Sequence, residues 1–126
     1  MRLLIDSQIV VWWLSAAEPL NAEARDAIAD QDNEVYYSAA TVWELELEMD
    51  RGKLQMPSSY LSALDEAGFS PLSVSTSHAH AATALPRHHN NPFDRLLIAQ
   101  ALKEGLVLVT ADSRIFDYEV PLLKAV

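Results

Sequence analysis

The sequence contains no cysteine. Disulfides and thiolate-ligated zinc are therefore excluded, and a reducing compartment suits the chain. Bases are scarce: 9 Lys and Arg face 18 Asp and Glu, for a net charge of −9. A protein that grips nucleic acid through phosphates alone carries the opposite balance, so charge argues against a non-specific nucleic-acid binder. No stretch approaches the roughly 18 uninterrupted apolar residues of a membrane span. The first apolar run, Leu3-Leu4-Ile5, is broken at once by Asp6 and is too short for a signal peptide. The expectation is a soluble, cytoplasmic protein with no membrane contact. Repeats, low-complexity tracts and linkers are also missing, and 126 residues suit one domain spanning 1–126.

What is present is core material. Half of the residues are hydrophobic, and a domain of this length buries roughly two-thirds of its unfolded surface. Much of the acidity falls in one polar stretch, Glu18, Glu23, Asp26, Asp30, Asp32 and Glu34, which reads as an exposed helix face.

Strand-like and helix-like segments alternate. Short apolar runs predict strands at Arg2–Asp6, Glu34–Tyr37, Phe69–Val74 and Leu106–Thr110, with an edge strand in the tail Val120–Val126. Helices are predicted at Ile9–Leu14, Asn21–Gln31, Ser58–Ala67 and Thr76–Ala84. A longer one is capped by Ser38 and ended near Arg51 by Gly52. The clearest helix is Pro92–Glu104, with Asn91 at its cap, Pro92 in its first position and Gly105 after its end. This alternation predicts an α/β fold with a mostly parallel sheet and helices on both faces. Ligands of such sheets bind outside the carboxyl ends of the strands.

Acids collect at that edge. Asp6 closes the first strand and Asp112 follows the Leu106–Thr110 strand by two residues, though turn capping accounts for either alone. Asp94 lies in the first turn of its helix, where a carboxylate suits the macrodipole. Yet Leu97, Ile98 and Ala101 share its face, so it points toward the core and needs a partner or a metal. Periodicity does not choose among Glu44, Glu46 and Glu48. Glu44 and Glu48 share a face, where a cation between them would relieve their repulsion. Converging carboxylates with no soft donor suit Mg²⁺ or Mn²⁺, the equipment of phosphodiester hydrolysis.

These residues resemble the PIN-domain nucleases, specifically the VapC-like toxins of bacterial toxin–antitoxin pairs. The matching segments are Leu3-Leu4-Ile5-Asp6-Ser7 with Trp12, Ser38-Ala39-Ala40-Thr41-Val42-Trp43-Glu44, and Gly52-Lys53-Leu54. The most specific runs from Leu85-Pro86 through His88-His89-Asn90-Asn91-Pro92-Phe93-Asp94-Arg95 to Ala101, and Leu108-Val109-Thr110-Ala111-Asp112 closes the pattern. The resemblance covers nearly the whole chain. It implies a three-layer α/β/α fold, a Mg²⁺- or Mn²⁺-dependent endoribonuclease, a homodimer and a small antitoxin partner. It maps the family's acids onto Asp6, Glu44, Asp94 and Asp112, so Glu44 is selected from its neighbours by resemblance alone. Three residues depart from the pattern: Gln8 in place of His, Asn91 in place of Asp, and Glu48 in place of a base.

On this reading Asp6, Asp94 and Asp112 hold the ion and Glu44 orients or deprotonates the attacking water. Ser7 and Thr110 are outer hydroxyl donors, and loss of the acid at Asn91 alters the same outer shell. His88 and His89 lie near the mouth, within reach of phosphate or a proton transfer. His78 and His80 read as structural. Arg95 is expected at a site carboxylate or on RNA, with Arg87 and Arg114 flanking the same edge. Val10, Val11, Trp12, Trp13 and Leu14 form an apolar block, read as core or as part of a groove for an antitoxin helix. Two rivals stand beside the nuclease. An aspartyl-phosphate phosphatase usually needs an acid where Gln8 stands. A catalytically weakened PIN module, binding RNA or protein, would draw on the departures at Gln8, Asn91 and Glu48.

Overall fold

The computed structural model describes residues 1–15 and 19–126. Glu18, assigned above to an acidic helix face, lies outside the described residues. In chain order the elements are β1 (Arg2–Ile5), α1 (Ser7–Leu14), α2 (Ala22–Ala29), β2 (Glu34–Ser38), α3 (Ala39–Asp50) and α4 (Tyr60–Glu66). There follow β3 (Ser70–Leu72), α5 (Thr76–Thr83), α6 (Pro92–Glu104), β4 (Val107–Thr110), a 3₁₀ turn at Ile115–Asp117 and β5 (Leu122–Lys124).

The strands form one sheet in the order β3-β2-β1-β4-β5. Every pairing is parallel, including that of the edge strand β5 with β4. The sheet is thus more uniform than the mostly parallel one expected. β5 is shorter than the tail from Val120 suggested: Pro121 has no N–H, and its carbonyl instead accepts from Leu108 N at 2.8 Å as the strand begins.

Alternation along the strands divides the core into two layers. Leu3, Ile5, Val35, Tyr37, Val109 and Leu123 face one side, with Ile9, Val10, Ala24, Ile28, Leu45, Tyr60 and Leu64 from α1 to α4. Leu4 and Leu108 face the other, with Leu97, Ile98 and Ala101 of α6, Ile115 and Tyr118. The architecture is α/β/α.

The helix ends follow their capping residues. Asn21 accepts from Ala24 N–H, Ser38 from Ala40 N–H, and Asn91 from Phe93 N–H at 2.9 Å. α6 runs over the predicted span, and Gly105 at φ 66° supplies the left-handed residue that ends it. The first helix starts earlier than its apolar run, at Ser7, because the Asp6 carboxylate accepts from Ile9 N–H at 3.0 Å. The sheet order reverses direction beside β1, whose neighbours are β2 and β4. That switch point leaves an opening at the carboxyl ends of β1 and β4.

Candidate active site

Four carboxyl groups from four separate segments meet at that opening. Asp6 follows β1, and its N–H donates to Val109 O of β4 at 3.2 Å, which ties the two strand ends together. Asp112 follows β4. Glu44 comes from the middle of α3 and Asp94 from the first turn of α6. All four line one open cavity of about 340 Å³, together with Ser7, Gln8, Trp12, Asn91 and Ala111. Asp6, Glu44 and Asp94 are buried, and Asp112 is partly exposed.

Crowding these acids raises the cost of ionising them. Burial pushes Asp6 up to about 7, against the Thr110 hydroxyl and Ile9 N–H, and the charges of Asp94 and Glu44 add to the rise. Burial likewise raises Glu44, with the charges of Asp94 and Glu48 behind it, while the Ser7 and Asn91 side chains favour its charged form. Asp94 is raised by burial and by Asp112, and His89 opposes the rise. At Asp112 partial burial acts against the charge, but the Arg114 guanidinium and N–H outweigh it and hold the carboxyl below the ordinary range. Glu44 also carries a buried Oε1 with no hydrogen-bond partner. An orphaned carboxylate oxygen, beside acids that resist ionising together, fits a hard cation of oxygen preference.

A PIN-domain profile matches residues 3–120 of this sequence. The chain belongs to the PIN-domain family. It is 30% identical over 122 residues to ribonuclease VapC22 of Mycobacterium tuberculosis, which covers 94% of this chain and 93% of that protein. The fold matches the crystal structure of VapBC2 from Rickettsia felis bound to a DNA fragment from their promoter. The TM-score is 0.73 at 17% identity, with 100% of each chain covered. It also matches VapBC-5 from Mycobacterium tuberculosis, described as a member of the VapBC family of toxin-antitoxin systems. There the TM-score is 0.62 at 18% identity, over 98% of this chain and 97% of that one.

Within this PIN domain the sequence-derived residues divide. Asp6, Glu44, Asp94, Asp112, Ser7 and Asn91 share the cavity. Thr110 lies beneath it, its Oγ1 accepting from Asp112 N–H at 3.1 Å. His89 is buried, with Nε2 2.8 Å from Asp94 Oδ2 and 3.2 Å from Asp112 Oδ2. The tightest set of possible ligand atoms among the described residues is accordingly His89, Asp94 and Asp112, within 4.8 Å of one another. It differs from the expected set of Asp6, Asp94 and Asp112. His88 is exposed, sets its ring edge-on to Tyr118, and lines a separate cavity with Leu85, Ile98 and Leu102. Glu48 is half-buried and does not line the cavity, though its charge acts on Glu44. His78 is structural as expected: it closes a capping box with Ser75 and meets Glu104 at 2.8 Å.

Arg95 is turned away from the acids. Its Nη1 donates to Pro86 O at 2.9 Å and His89 O at 3.3 Å. Its Nη2 donates to Ala82 O and Leu85 O at 3.0 Å and to Thr83 O at 3.4 Å. The expected contact with a carboxylate is replaced by a grip on the backbone at the end of α5 and along the loop that follows it. Gln8 and Trp12 line the cavity one helical turn apart, a pairing that follows from starting α1 at Ser7. The helix predicted from Ile9 puts Trp12 in core or groove, and the start at Ser7 brings it to the acids as well. It packs on the core as well as lining the cavity.

Proposed function

We propose that this chain is an endoribonuclease dependent on Mg²⁺ or Mn²⁺, and the toxin of a toxin–antitoxin pair. The observation that carries this reading is the meeting of Asp6, Glu44, Asp94 and Asp112, from four segments, in one cavity at the sheet's switch point. The kinship with a protein named a ribonuclease supports it.

Asp6, Asp94 and Asp112 would hold the ion, directly or through water. When bound, the ion supplies a Lewis acid for the phosphodiester and lowers the pKa of the attacking water. Glu44, which lines the cavity, takes that water's proton, and its raised basicity suits the task. The water oxygen bonds to phosphorus in line, the bond to the 3′ oxygen breaks, and that oxygen is protonated from solvent. The products carry a 5′-phosphate and a 3′-hydroxyl. Ser7, Asn91 and Thr110 hold the acids in place.

Arg87 and Arg114, both exposed, are the bases at this edge that can meet phosphate, which implies modest affinity and a shallow salt dependence. The antitoxin and a second copy of the chain are the expected protein partners, and the cytoplasm the expected compartment. Part of the apolar block on α1 suits the antitoxin: Val11 and Leu14 line an open cavity with Met56 and Pro57.

The test is incubation of the partner-free protein with total cellular RNA, with Mn²⁺, with Mg²⁺ and with chelator, beside Asp94→Ala and Asp94→Asn. Discrete products that need both the metal and Asp94 are expected. A folded protein yielding none would overturn the reading in favour of a binding module.

A further inference from the structure

His89 is a metal-ligating residue type placed between two of the proposed ligands, and its own bonds define what it can do there. Its side chain is 3% exposed. Its main-chain N–H donates to the Tyr118 hydroxyl at 3.0 Å, and its carbonyl accepts from Arg95 Nη1 at 3.3 Å. The ring is therefore held from both sides of its own backbone.

The decisive contact is at the far nitrogen. Asn91 N–H donates to His89 Nδ1 at 3.2 Å. A nitrogen that accepts a hydrogen bond carries no proton, so the imidazole keeps its proton on Nε2. That is the inverse of a metal-binding histidine, which donates from its outer nitrogen and offers a bare lone pair to the ion. Here Nε2–H faces Asp94 Oδ2 at 2.8 Å and Asp112 Oδ2 at 3.2 Å. One proton lies between two carboxylates of like charge and offsets their repulsion.

We propose that His89 is a positioning residue, which aims Asp94 and Asp112 at a shared divalent cation through its Nε2–H and does not itself ligate that cation. The inference rests on the reading of the cavity as a cation site. It also gives Asn91 a role apart from any lost acid. Asn91 caps α6 with its side chain and fixes the His89 tautomer with its N–H. The helix that carries Asp94 and the ring that aims it are thus registered by one residue.

The test is Mn²⁺ titration of the purified full chain, followed by calorimetry and by loss of the free-ion EPR signal, for wild type, His89→Ala and His89→Gln. A glutamine amide can present N–H where Nε2–H stands and offers no imidazole nitrogen, while its oxygen could still ligate, so the affinity series is read together with pulsed EPR. His89→Ala is expected to weaken Mn²⁺ binding about tenfold or more, and His89→Gln to restore it close to wild type. Pulsed EPR of the wild-type Mn²⁺ complex is expected to lack the coupling of a directly bound imidazole nitrogen, and it needs no variant to fold. Equal weakening of both variants with that coupling present would make His89 a ligand and overturn the proposal. So would unchanged affinity in a folded His89→Ala protein. Wild type that binds no Mn²⁺ would overturn the cation-site reading and this inference with it, an outcome distinct from either of the others.

Discussion

Asp6 and Asp112 follow adjacent strands and line the same cavity, yet their surroundings treat a negative charge in opposite ways. Asp6 is buried and faces Asp94 and Glu44, with the Thr110 hydroxyl and one helix amide on its side. Asp112 reaches the rim, where Arg114 donates to it from the backbone at 2.9 Å and from the guanidinium at 3.1 and 3.2 Å. One flank of the site stores unfavourable electrostatics and the other dissipates it. A cavity built this way is poised for a cation on its buried side without depending on one to keep its rim charged.

Removing the buried charge breaks the comparison most sharply. Folded Asp6 keeps its proton up to about pH 7, whereas an unfolded aspartate releases it near pH 4. Between those values the folded state binds more protons, so metal-free protein loses stability as pH rises through the window, by roughly 4 kcal/mol at most. That is a fall in melting temperature on the order of 10 °C. Asp6→Asn keeps the helix-capping oxygen and deletes the titration. Thermal melts at pH 5 to 8 in chelator are expected to slope downward for wild type and less steeply for Asp6→Asn, in which the raised Glu44 and Asp94 remain. Mn²⁺ should restore the wild type at pH 8 and leave the variant unmoved. A flat wild-type profile would show that Asp6 is not the strained acid.

Arg95 sharpens the comparison from outside the cavity. Arg95→Ala removes the guanidinium bonds to five carbonyls, two at the end of α5 and three in the loop after it, and is expected to cost about 2 kcal/mol, read by denaturant unfolding. It should also lower RNA cleavage, because the loop carries His89. Full cleavage by that variant would uncouple the loop from the site. The smallest effect is expected at Arg114, which is exposed. Arg114→Ala should leave the melt unchanged and move the acid limb of the cleavage profile to higher pH, since Asp112 loses the group that lowers it.

The fold was largely legible because its signals are local. Ser38, Asn21 and Asn91 mark helix starts with side chains that act within a few residues, and Gly105 ends α6 through its left-handed backbone. The apolar strands could be read as buried without knowing their partners. Asp94 stood out for the same reason, its core-facing neighbours lying within two helical turns. What was hidden depends on distance. Asp6 looked like the end of a strand, and its second duty as the cap of α1 moved the helix start and concealed Trp12. Arg95 stands next to Asp94 in sequence but points elsewhere, since consecutive helical residues lie about 100° apart. Nothing local separates His88 from His89, and only the packing of Tyr118, Asn91 and Arg95 around the latter does so.

The bonds of Arg95 go to main-chain carbonyls of Ala82, Thr83, Leu85, Pro86 and His89. Every amino acid brings the same carbonyl, so the guanidinium recognises the path of the loop and is indifferent to most of its side chains. The exposed positions Thr83, Ala84 and Arg87 can therefore change side chain while the bracket that presents His89 keeps its shape, whereas Leu85 is tied to the core. The face that this stretch turns to solvent can thus be rewritten by substitution while a single guanidinium holds its course.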